Sequence, residues 1–300
     1  MISSTGLFQD KRQLSRNVRL VEPYPITHRF TVESEFAGKT LLELMCTKFP
    51  FRPEEEWKSR IDDGRVYREE ETGSVLSSGE VVFHYNPKVV EPTVPDEVEV
   101  LVETGEYLVV FKPAPLPMHP GGRYNKNTLT EILKDSGYPN LRITHRLDAV
   151  TSGIVLFAKT KEFAKKATEC FTKGKVQKTY FAKVSGTPKE ESITIDSPVK
   201  RKHGFVFESK KGLDNAKEAI THFEVVERKI DFSIIKCIPE TGRTHQIRLH
   251  LAEWGYPIFD DPIYGEGGDV SSRSTQNRSI SLVSSGLVIE ELEIDYQLVI

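Results

Sequence analysis

The sequence predicts an α+β protein, in which a larger domain with a mostly antiparallel mixed sheet follows a small α+β module. Segments of strand character outnumber helical segments in the second half of the chain, and they recur in hairpin-like pairs. A stretch rich in Pro and acidic residues, 88–104, separates this half from a shorter region of two helices and two strands. The length of 300 residues also exceeds the usual size of one domain.

The sequence divides into five segments. They are a disordered leader over residues 1–30, the small module over 31–87, a linker over 88–104, the larger domain over 105–265 and an atypical tail over 266–300. The leader carries Lys11, Arg12, Arg16 and Arg19 among serines, so an organellar transit peptide is the alternative to a disordered leader. No apolar run approaches the roughly 18 residues of a membrane helix, and the leader has no apolar core for secretion. We therefore expect a cytoplasmic or organellar protein without membrane contact.

The small module has the spacing of two short helices followed by two strands. Apolar residues at helical spacing predict a helix over residues 38–48, and Trp57 and Ile61 lie four apart on one face of a second helix. The Asp63-Gly64 pair predicts a turn into one strand, and a Gly-Glu pair at 79–80 precedes another. Two runs of three glutamates make the module acidic. An RNA-binding role and a packing or partner-binding role therefore both stay open.

The larger domain combines several strands with a few helices. A continuous apolar run predicts a buried strand over residues 153–158, and Phe163, Ala167 and Cys170 give the next helix an apolar face. Gly255 ends the last helix. The complete set consists of strands over 106–111, 153–158, 178–186, 222–227 and 232–238 and helices over 128–135, 162–173 and 244–254.

The net charge of −3 conceals a strong gradient along the chain. Residues 1–110 contain 13 Lys and Arg against 20 Asp and Glu, whereas residues 141–250 contain 22 against 13, a local charge of +9. The last fifty residues are acidic again, with 2 basic residues against 9 acidic ones. A basic middle segment attracts a phosphate backbone, but a solvated lysine-rich face gives the same composition.

Other chemistries lack their characteristic residue patterns. Cys46, Cys170 and Cys237 are far apart and share no metal-ligand spacing, which indicates a reducing compartment and no structural zinc. A hydrolase built on His145 and Asp148 is a weaker interpretation, because the chain has no nucleophile-elbow motif and no metal-ligand pattern.

The most informative motif reads HRLDAVTSG over residues 145–153 and precedes an apolar strand. It places the carboxylate of Asp148 between a basic segment and a buried strand. A carboxylate is costly to bury there unless it is paired or takes part in function. Two further motifs read KTYFAKVSG over residues 178–186 and TGRTHQIRLHLA over residues 241–252. In this order, the motifs resemble those of the RluA-type RNA pseudouridine synthases. The small module resembles the S4-like RNA-binding module that often precedes these enzymes.

The resemblance implies roles for five residues. Asp148 corresponds to the aspartate that carries the chemistry, Tyr180 to a tyrosine that lies against the base, and Arg248 to a helical arginine that pairs with the aspartate. Arg146 corresponds to an arginine that can occupy the space left by a flipped-out base and contact phosphate. Arg243 either binds phosphate or braces the turn before the last helix.

The resemblance also implies a catalytic domain with a central cleft that isomerises specific uridines of rRNA or tRNA. Isomerisation gains and loses no atoms, so neither a metal nor an organic cofactor is expected, and the expected partner is RNA rather than DNA. Asp148 acts either as a nucleophile on C1′ or as a base on the ribose 2′ proton. The family pattern is not found after residue 265, so an RNA-binding pseudoenzyme without turnover is the alternative.

Overall fold

The computed structural model describes residues 17–69, 73–268 and 278–298. The chain divides into two compact units. The described residues between Val21 and Glu91 form the smaller unit, and those up to Leu20 together with those from Pro92 onward form the larger one. In the described ranges, no helix is long and apolar enough to cross a membrane.

Seventeen strands and five α-helices lie within the described residues. The strands are β1 (Val18–Arg19), β2 (Tyr24–Thr31), β3 (Val66–Arg68), β4 (Val81–Val89), β5 (Val94–Pro95), β6 (Glu99–Glu103), β7 (Tyr107–Lys112), β8 (Arg142–Ile143), β9 (Ser152–Ala158), β10 (Gln177–Ser185), β11 (Ser192–Asp196), β12 (Val199–His203), β13 (Val206–Ser209), β14 (Ile220–Arg228), β15 (Phe232–Pro239), β16 (Leu282–Ile289) and β17 (Ile294–Gln297). The helices are α1 (Leu41–Lys48), α2 (Glu54–Asp62), α3 (Leu129–Asp135), α4 (Lys161–Thr172) and α5 (Gln246–Trp254).

The smaller unit contains a three-stranded antiparallel sheet in the order β2-β4-β3. Trp57 from α2 and Leu44 from α1 pack with Val82 from β4 in a buried apolar core. Helix α1 begins after Thr40, whose side chain and that of Glu43 each bind the other residue's backbone N–H in a capping box. The two helices and two strands predicted here are confirmed, and β2 is an additional strand.

The larger unit is built around a ten-stranded sheet. Its strands follow the order β11-β14-β15-β10-β16-β9-β7-β6, with β17 paired to β16 and β8 paired to β9. Within the described residues every pairing in this sheet is antiparallel except that of β16 with β9. This arrangement confirms the predicted α+β class with a mostly antiparallel mixed sheet.

Helices α3 and α4 pack on opposite faces of the part of the sheet formed by β7 and β9. Side chains alternate along a strand, so Leu108 and Val110 join the apolar cluster around α3, whereas Val109 and Phe111 join that around α4. Helix α5 packs in a third cluster with side chains of β10 and β15. The bounds of these three helices differ from the predicted ones by one or two residues.

The segment assigned to an atypical tail contributes a central strand of the sheet. Strand β16 lies between β10 and β9, and its side chains Leu282, Val283, Leu287 and Ile289 are buried. Two serines and a glycine interrupt the apolar pattern of this strand, which explains why the sequence does not reveal it. For residues 278–298 the expectation of a tail outside the larger domain is therefore wrong, and this removes the reason to expect an inactive protein. Residues 269–277 lie outside the described residues.

Two boundaries on the N-terminal side also differ from those assigned from the sequence. Val18–Arg19 pairs with Val94–Pro95 in the larger unit, and Tyr24–Thr31 is a strand of the smaller one, instead of belonging to a disordered leader. Glu99–Glu103 forms the edge strand of the large sheet rather than part of a linker. Its acidic residues conceal the strand, because an edge strand tolerates charges that a central strand does not. Residues 1–16 of the leader lie outside the described residues.

Candidate active site

Asp148 lies in the turn between β8 and β9, and buried neighbours hold this turn in place. Leu147 packs into the apolar cluster around α3, whereas Val150 packs into the cluster around α5. The backbone N–H of Leu116 donates to the carbonyl of Ala149 at 2.8 Å. The side chain of Asp148 is 26% exposed, so the fold anchors the backbone of the turn and leaves the carboxylate accessible.

Arg248 on α5 contacts the carboxylate of Asp148. Its Nη1 lies 3.4 Å from Oδ2 of Asp148. The same guanidinium forms a shorter, bidentate ion pair with Asp261, in which Nε donates to Oδ2 at 2.7 Å and Nη2 donates to Oδ1 at 2.9 Å. The side chains of Arg248 and Asp261 are 2% and 0% exposed. The predicted contact with Asp148 is present, and a second, buried carboxylate orients the guanidinium.

Charge pairing favours the ionised form of both buried groups. Burial alone lowers the pKa of Arg248, but the hydrogen bond and charge of Asp261, together with the charge of Asp148, raise this pKa above its ordinary value. Burial alone raises the pKa of Asp261, but Arg248 and the backbone N–H groups of Ile263 and Tyr264 lower it below its ordinary value. Arg248 therefore presents a fixed positive charge beside Asp148.

Tyr180 lies on β10 near Asp148, next to a β-bulge. The register with β16 shifts between Thr179 and Tyr180, so that Tyr180 pairs with Ser284. Tyr180 is half-buried and packs against the apolar clusters around α3 and α5. Burial raises the pKa of Tyr180 to about 12, and the negative charge of Asp148 contributes to the increase. The phenol is therefore neutral at physiological pH.

The two other predicted residues, Arg146 and Arg243, are exposed. Arg146 lies two residues before Asp148 in the same turn and makes no hydrogen bond or ion pair with a described residue. Arg243 lies in the turn before α5, where its Nε donates to the carbonyl of Glu218 at 2.9 Å. Of the five predicted residues, the structure thus brings three together and leaves two arginines on the surface.

Lys112 supports the Asp148 turn, a role that no sequence motif predicts. Its side chain is fully buried at the end of β7, where Nζ donates to the carbonyls of Pro113 (3.2 Å), Leu116 (2.9 Å) and Ala149 (3.2 Å). Burial lowers the pKa of Lys112 to about 7, and the negative charge of Asp148 opposes the decrease. The sequence contained a signal, since a lysine at the end of an apolar strand is costly to bury without several acceptors.

His245 and Tyr264 complete the contacts around Asp148. His245 immediately precedes α5, and its Nε2 lies 3.9 Å from Oδ2 of Asp148. The Tyr264 hydroxyl lies 2.8 Å from Nδ1 of His245, and the Arg248 guanidinium lies over the Tyr264 ring, 5.0 Å from its centre. The sequence predicts no role for these two residues or for Asp261, because each acts through a partner elsewhere in the sequence.

The hydrolase alternative finds no support in the described residues. His145, which a hydrolase would use together with Asp148, accepts a hydrogen bond from the backbone N–H of Leu156 at 3.0 Å and stacks on Phe171. Burial lowers the pKa of His145 to about 3, so that it is a neutral support for β9. No group of three or more His, Cys, Asp or Glu side chains is arranged to hold a metal ion within residues 17–69, 73–268 and 278–298.

Comparison with known families matches residues 106–253 to the RNA pseudouridylate synthase family. The matched range contains Asp148, Tyr180 and Arg248, and it ends before Asp261 and before β16.

Two curated proteins and one solved structure illustrate what the chain is similar to. It is 32% identical over 258 residues to the mitochondrial tRNA pseudouridine(32) synthase of Saccharomyces cerevisiae. This alignment covers 82% of this chain and 55% of the yeast protein. It is 31% identical over 298 residues to RNA pseudouridine synthase 7 of Oryza sativa, which covers 93% of this chain and 73% of the rice protein. The structure of human RNA pseudouridylate synthase domain containing 1 has a TM-score of 0.58 at 27% identity, over 69% of this chain and 85% of that one. The chain thus spans little more than half the length of the yeast relative.

Proposed function

Because this chain belongs to the RluA-type RNA pseudouridine synthase family, we propose that it isomerises uridine to pseudouridine in RNA, with Asp148 as its catalytic residue. The observation that carries the proposal is the position of the Asp148 carboxylate, 26% exposed beside a guanidinium that is itself buried and held by Asp261. A carboxylate with an anchored backbone, a fixed cation on one side and solvent on the other can reach a substrate atom.

The reaction moves the uracil ring on the ribose. The bond between C1′ and N1 breaks and leaves its electron pair on uracil, the ring turns over, and a bond forms between C1′ and C5. The C5 proton then leaves to solvent and N1 takes up a proton, so that atoms and electrons balance without a further reactant. Asp148 initiates this sequence either by attacking C1′ or by removing the 2′ proton.

The surrounding residues fit the needs of such a substrate. A uridine within structured RNA has to leave its stack before C1′ is accessible. We assign Tyr180 to contact the face of the displaced base, because this half-buried residue lies near enough to Asp148 for the charge of the carboxylate to raise its pKa. We assign Arg146 to the RNA backbone or the vacated space, because it is exposed in the same turn. Arg243 is a second phosphate contact, although its Nε is also engaged with the carbonyl of Glu218.

Release of tritium from RNA containing 5-³H-uridine tests the proposal, since isomerisation frees the C5 hydrogen and binding alone does not. In Asp148→Asn the amide can neither attack C1′ nor accept the 2′ proton, so we expect the rate to fall at least about 10²-fold. RNA affinity and thermal unfolding should stay close to those of the wild type.

Asp260→Asn is the matched control, because it removes the same charge from an exposed side chain that makes no hydrogen bond or ion pair with a described residue. Asp260 has a φ of 63°, a conformation that Asn also tolerates. This control should retain the wild-type rate. An Asp148→Asn protein that retains more than about a hundredth of the rate would contradict the assignment.

The substrate that we propose is a structured tRNA or rRNA. The name of the yeast relative gives tRNA as its substrate, and residues 141–250 of this chain have a net charge of +9, which suits a phosphate backbone. Mapping of pseudouridines in cells with and without the protein identifies the RNA. Loss of sites in tRNA alone or in rRNA alone decides between the two.

We further propose that the smaller unit is an S4-like module and that the protein acts in the cytoplasm or in an organelle. The order of α1, α2, an Asp-Gly turn, β3 and β4 supports the first part. The mitochondrial yeast relative supports an organelle as one location. Fluorescence microscopy of a protein tagged after residue 300 distinguishes the locations without covering the N-terminal residues.

A further inference from the structure

His245 has an unusual backbone conformation at the start of α5. Its φ of 59° lies in the left-handed region, and its side chain does not cap the helix. This conformation is unfavourable for a residue with a Cβ and persists where surrounding contacts hold it. Here it accompanies an imidazole whose Nε2 lies 3.9 Å from Oδ2 of Asp148.

The hydrogen bonds of Tyr264 favour one of the two positions for the hydrogen on the His245 ring. The backbone N–H of Phe207 donates to the Tyr264 hydroxyl oxygen at 3.0 Å. The hydroxyl hydrogen can then be donated to Nδ1 of His245, 2.8 Å away. With the hydrogen on Nδ1 instead, the lone pair of Nε2 would point at the carboxylate of Asp148, which is an unfavourable contact. The hydrogen of the neutral ring is therefore on Nε2.

Burial keeps the ring of His245 neutral. Burial lowers the pKa of His245 to about 4, against the attraction of Asp148 and Asp261, and the positive charge of Arg248 contributes to the decrease. Tyr264 is also neutral, because burial raises its pKa to about 12. His245 is therefore a donor of one hydrogen bond at physiological pH.

We propose that His245 is a positioning residue, which donates its Nε2–H to Oδ2 of Asp148 when RNA occupies the site. Nη1 of Arg248 contacts the same oxygen, at 3.4 Å. Both donors therefore hold Oδ2, and Oδ1 is left as the oxygen that meets the substrate. A small rotation of the Asp148 side chain shortens 3.9 Å to a hydrogen bond of about 3 Å. This inference rests on the proposed isomerase function.

Two substitutions of His245 separate positioning from a purely structural role. His245→Ala and His245→Gln both keep a Cβ in the left-handed conformation, so they share its cost, but the Gln amide nitrogen can replace Nε2–H. We expect His245→Ala to lower the single-turnover rate of tritium release by about 10²-fold with little change in KM. His245→Gln should recover most of this loss. Equal losses of rate in the two variants would overturn the proposal, because both variants lack the ring that a purely structural role would require.

The tautomer of His245 in the wild-type protein is a second test, which does not depend on activity. Correlation of the ¹⁵N and ¹H resonances of the imidazole is expected to show a hydrogen on Nε2, and Tyr264→Phe should shift the ring toward the other tautomer. A hydrogen on Nδ1 in the wild type would overturn the proposal. A wild-type protein that releases no tritium from tRNA or rRNA contradicts the proposed function, whereas a normal rate in His245→Ala contradicts the positioning role alone.

Discussion

Gly153→Ala tests how closely the sheet packs behind the Asp148 turn. Gly153 has a φ of +121°, and a Cβ on this residue would lie 2.2 Å from the carbonyl oxygen and 2.5 Å from the backbone nitrogen of Ser284. These are backbone atoms of the parallel pair between β9 and β16, so neither atom moves without displacing a strand. The substitution therefore has to separate two central strands of the sheet.

Two costs contribute to the expected loss of stability. A Cβ in this backbone conformation costs about 1–3 kcal/mol, and forcing an extra methyl group into a packed core costs typically about 1–3 kcal/mol more. We expect the free energy of unfolding to fall by about 2–6 kcal/mol in Gly153→Ala. For a unit of this size, each kcal/mol lowers Tm by roughly 2–4 °C.

Gly286→Ala is the matched control, measured by thermal and urea unfolding under the same conditions. A Cβ on Gly286 would also lie 2.2 Å from its nearest atom, but that atom is Oε1 at the far end of the exposed Gln297 side chain. Because this side chain can move and the φ of Gly286 is outside the left-handed region, the expected loss is below about 1 kcal/mol. Equal stability of the two variants would refute the close approach of β9 and β16.

Two further predictions concern pH and salt. The pKa of Lys112 is about 7 in the folded protein, whereas the ordinary value is 10.5. Between these two pH values the unfolded chain binds more protons than the folded protein does. The wild type therefore gains stability as the pH rises, by at most about 1.4 kcal/mol per pH unit. Lys112→Met should lack this gain in urea titrations near pH 7 and pH 9, and an identical gain in both proteins would contradict it. Charge reversal at Arg146 or Arg243 should lower the slope of log RNA affinity against log salt by at least about 0.7 per arginine. Charge reversal of the exposed Lys166 on α4, or replacement of residues 21–91 by a flexible linker, should leave this slope nearly unchanged. A lower slope after the replacement, with no change after the arginine reversals, would place RNA binding on the smaller unit.

The sequence predicts the elements whose signals are local. Strand β9 is a continuous apolar run, and α4 has both an apolar face and Thr160, whose side chain accepts from the N–H of Phe163 to cap the helix. The positions of Asp148 and Arg248 follow from long motifs, and the 3.4 Å between Nη1 and Oδ2 agrees with the predicted contact.

Residues whose roles depend on distant partners could not be predicted in the same way. Asp261 is one of two successive aspartates, and nothing local distinguishes it from the exposed Asp260, yet it orients Arg248 from a fully buried position. The role of Lys112 depends on the carbonyl of Ala149, 37 residues away in the chain. Such contacts follow from the closure of the fold and not from a motif.

Strand β16 shows why the missed elements matter for the site. Ser284 on this strand pairs with Tyr180 of β10 on one side and with Gly153 of β9 on the other. Since neighbouring strands lie about 4.8 Å apart, β16 holds the strand that carries Tyr180 roughly 10 Å from the strand that follows the Asp148 turn. Without residues 282–289, β9 and β10 would lack the strand that separates them. The spacing between the Tyr180 ring and the Asp148 carboxylate is therefore set by a strand that carries neither of them.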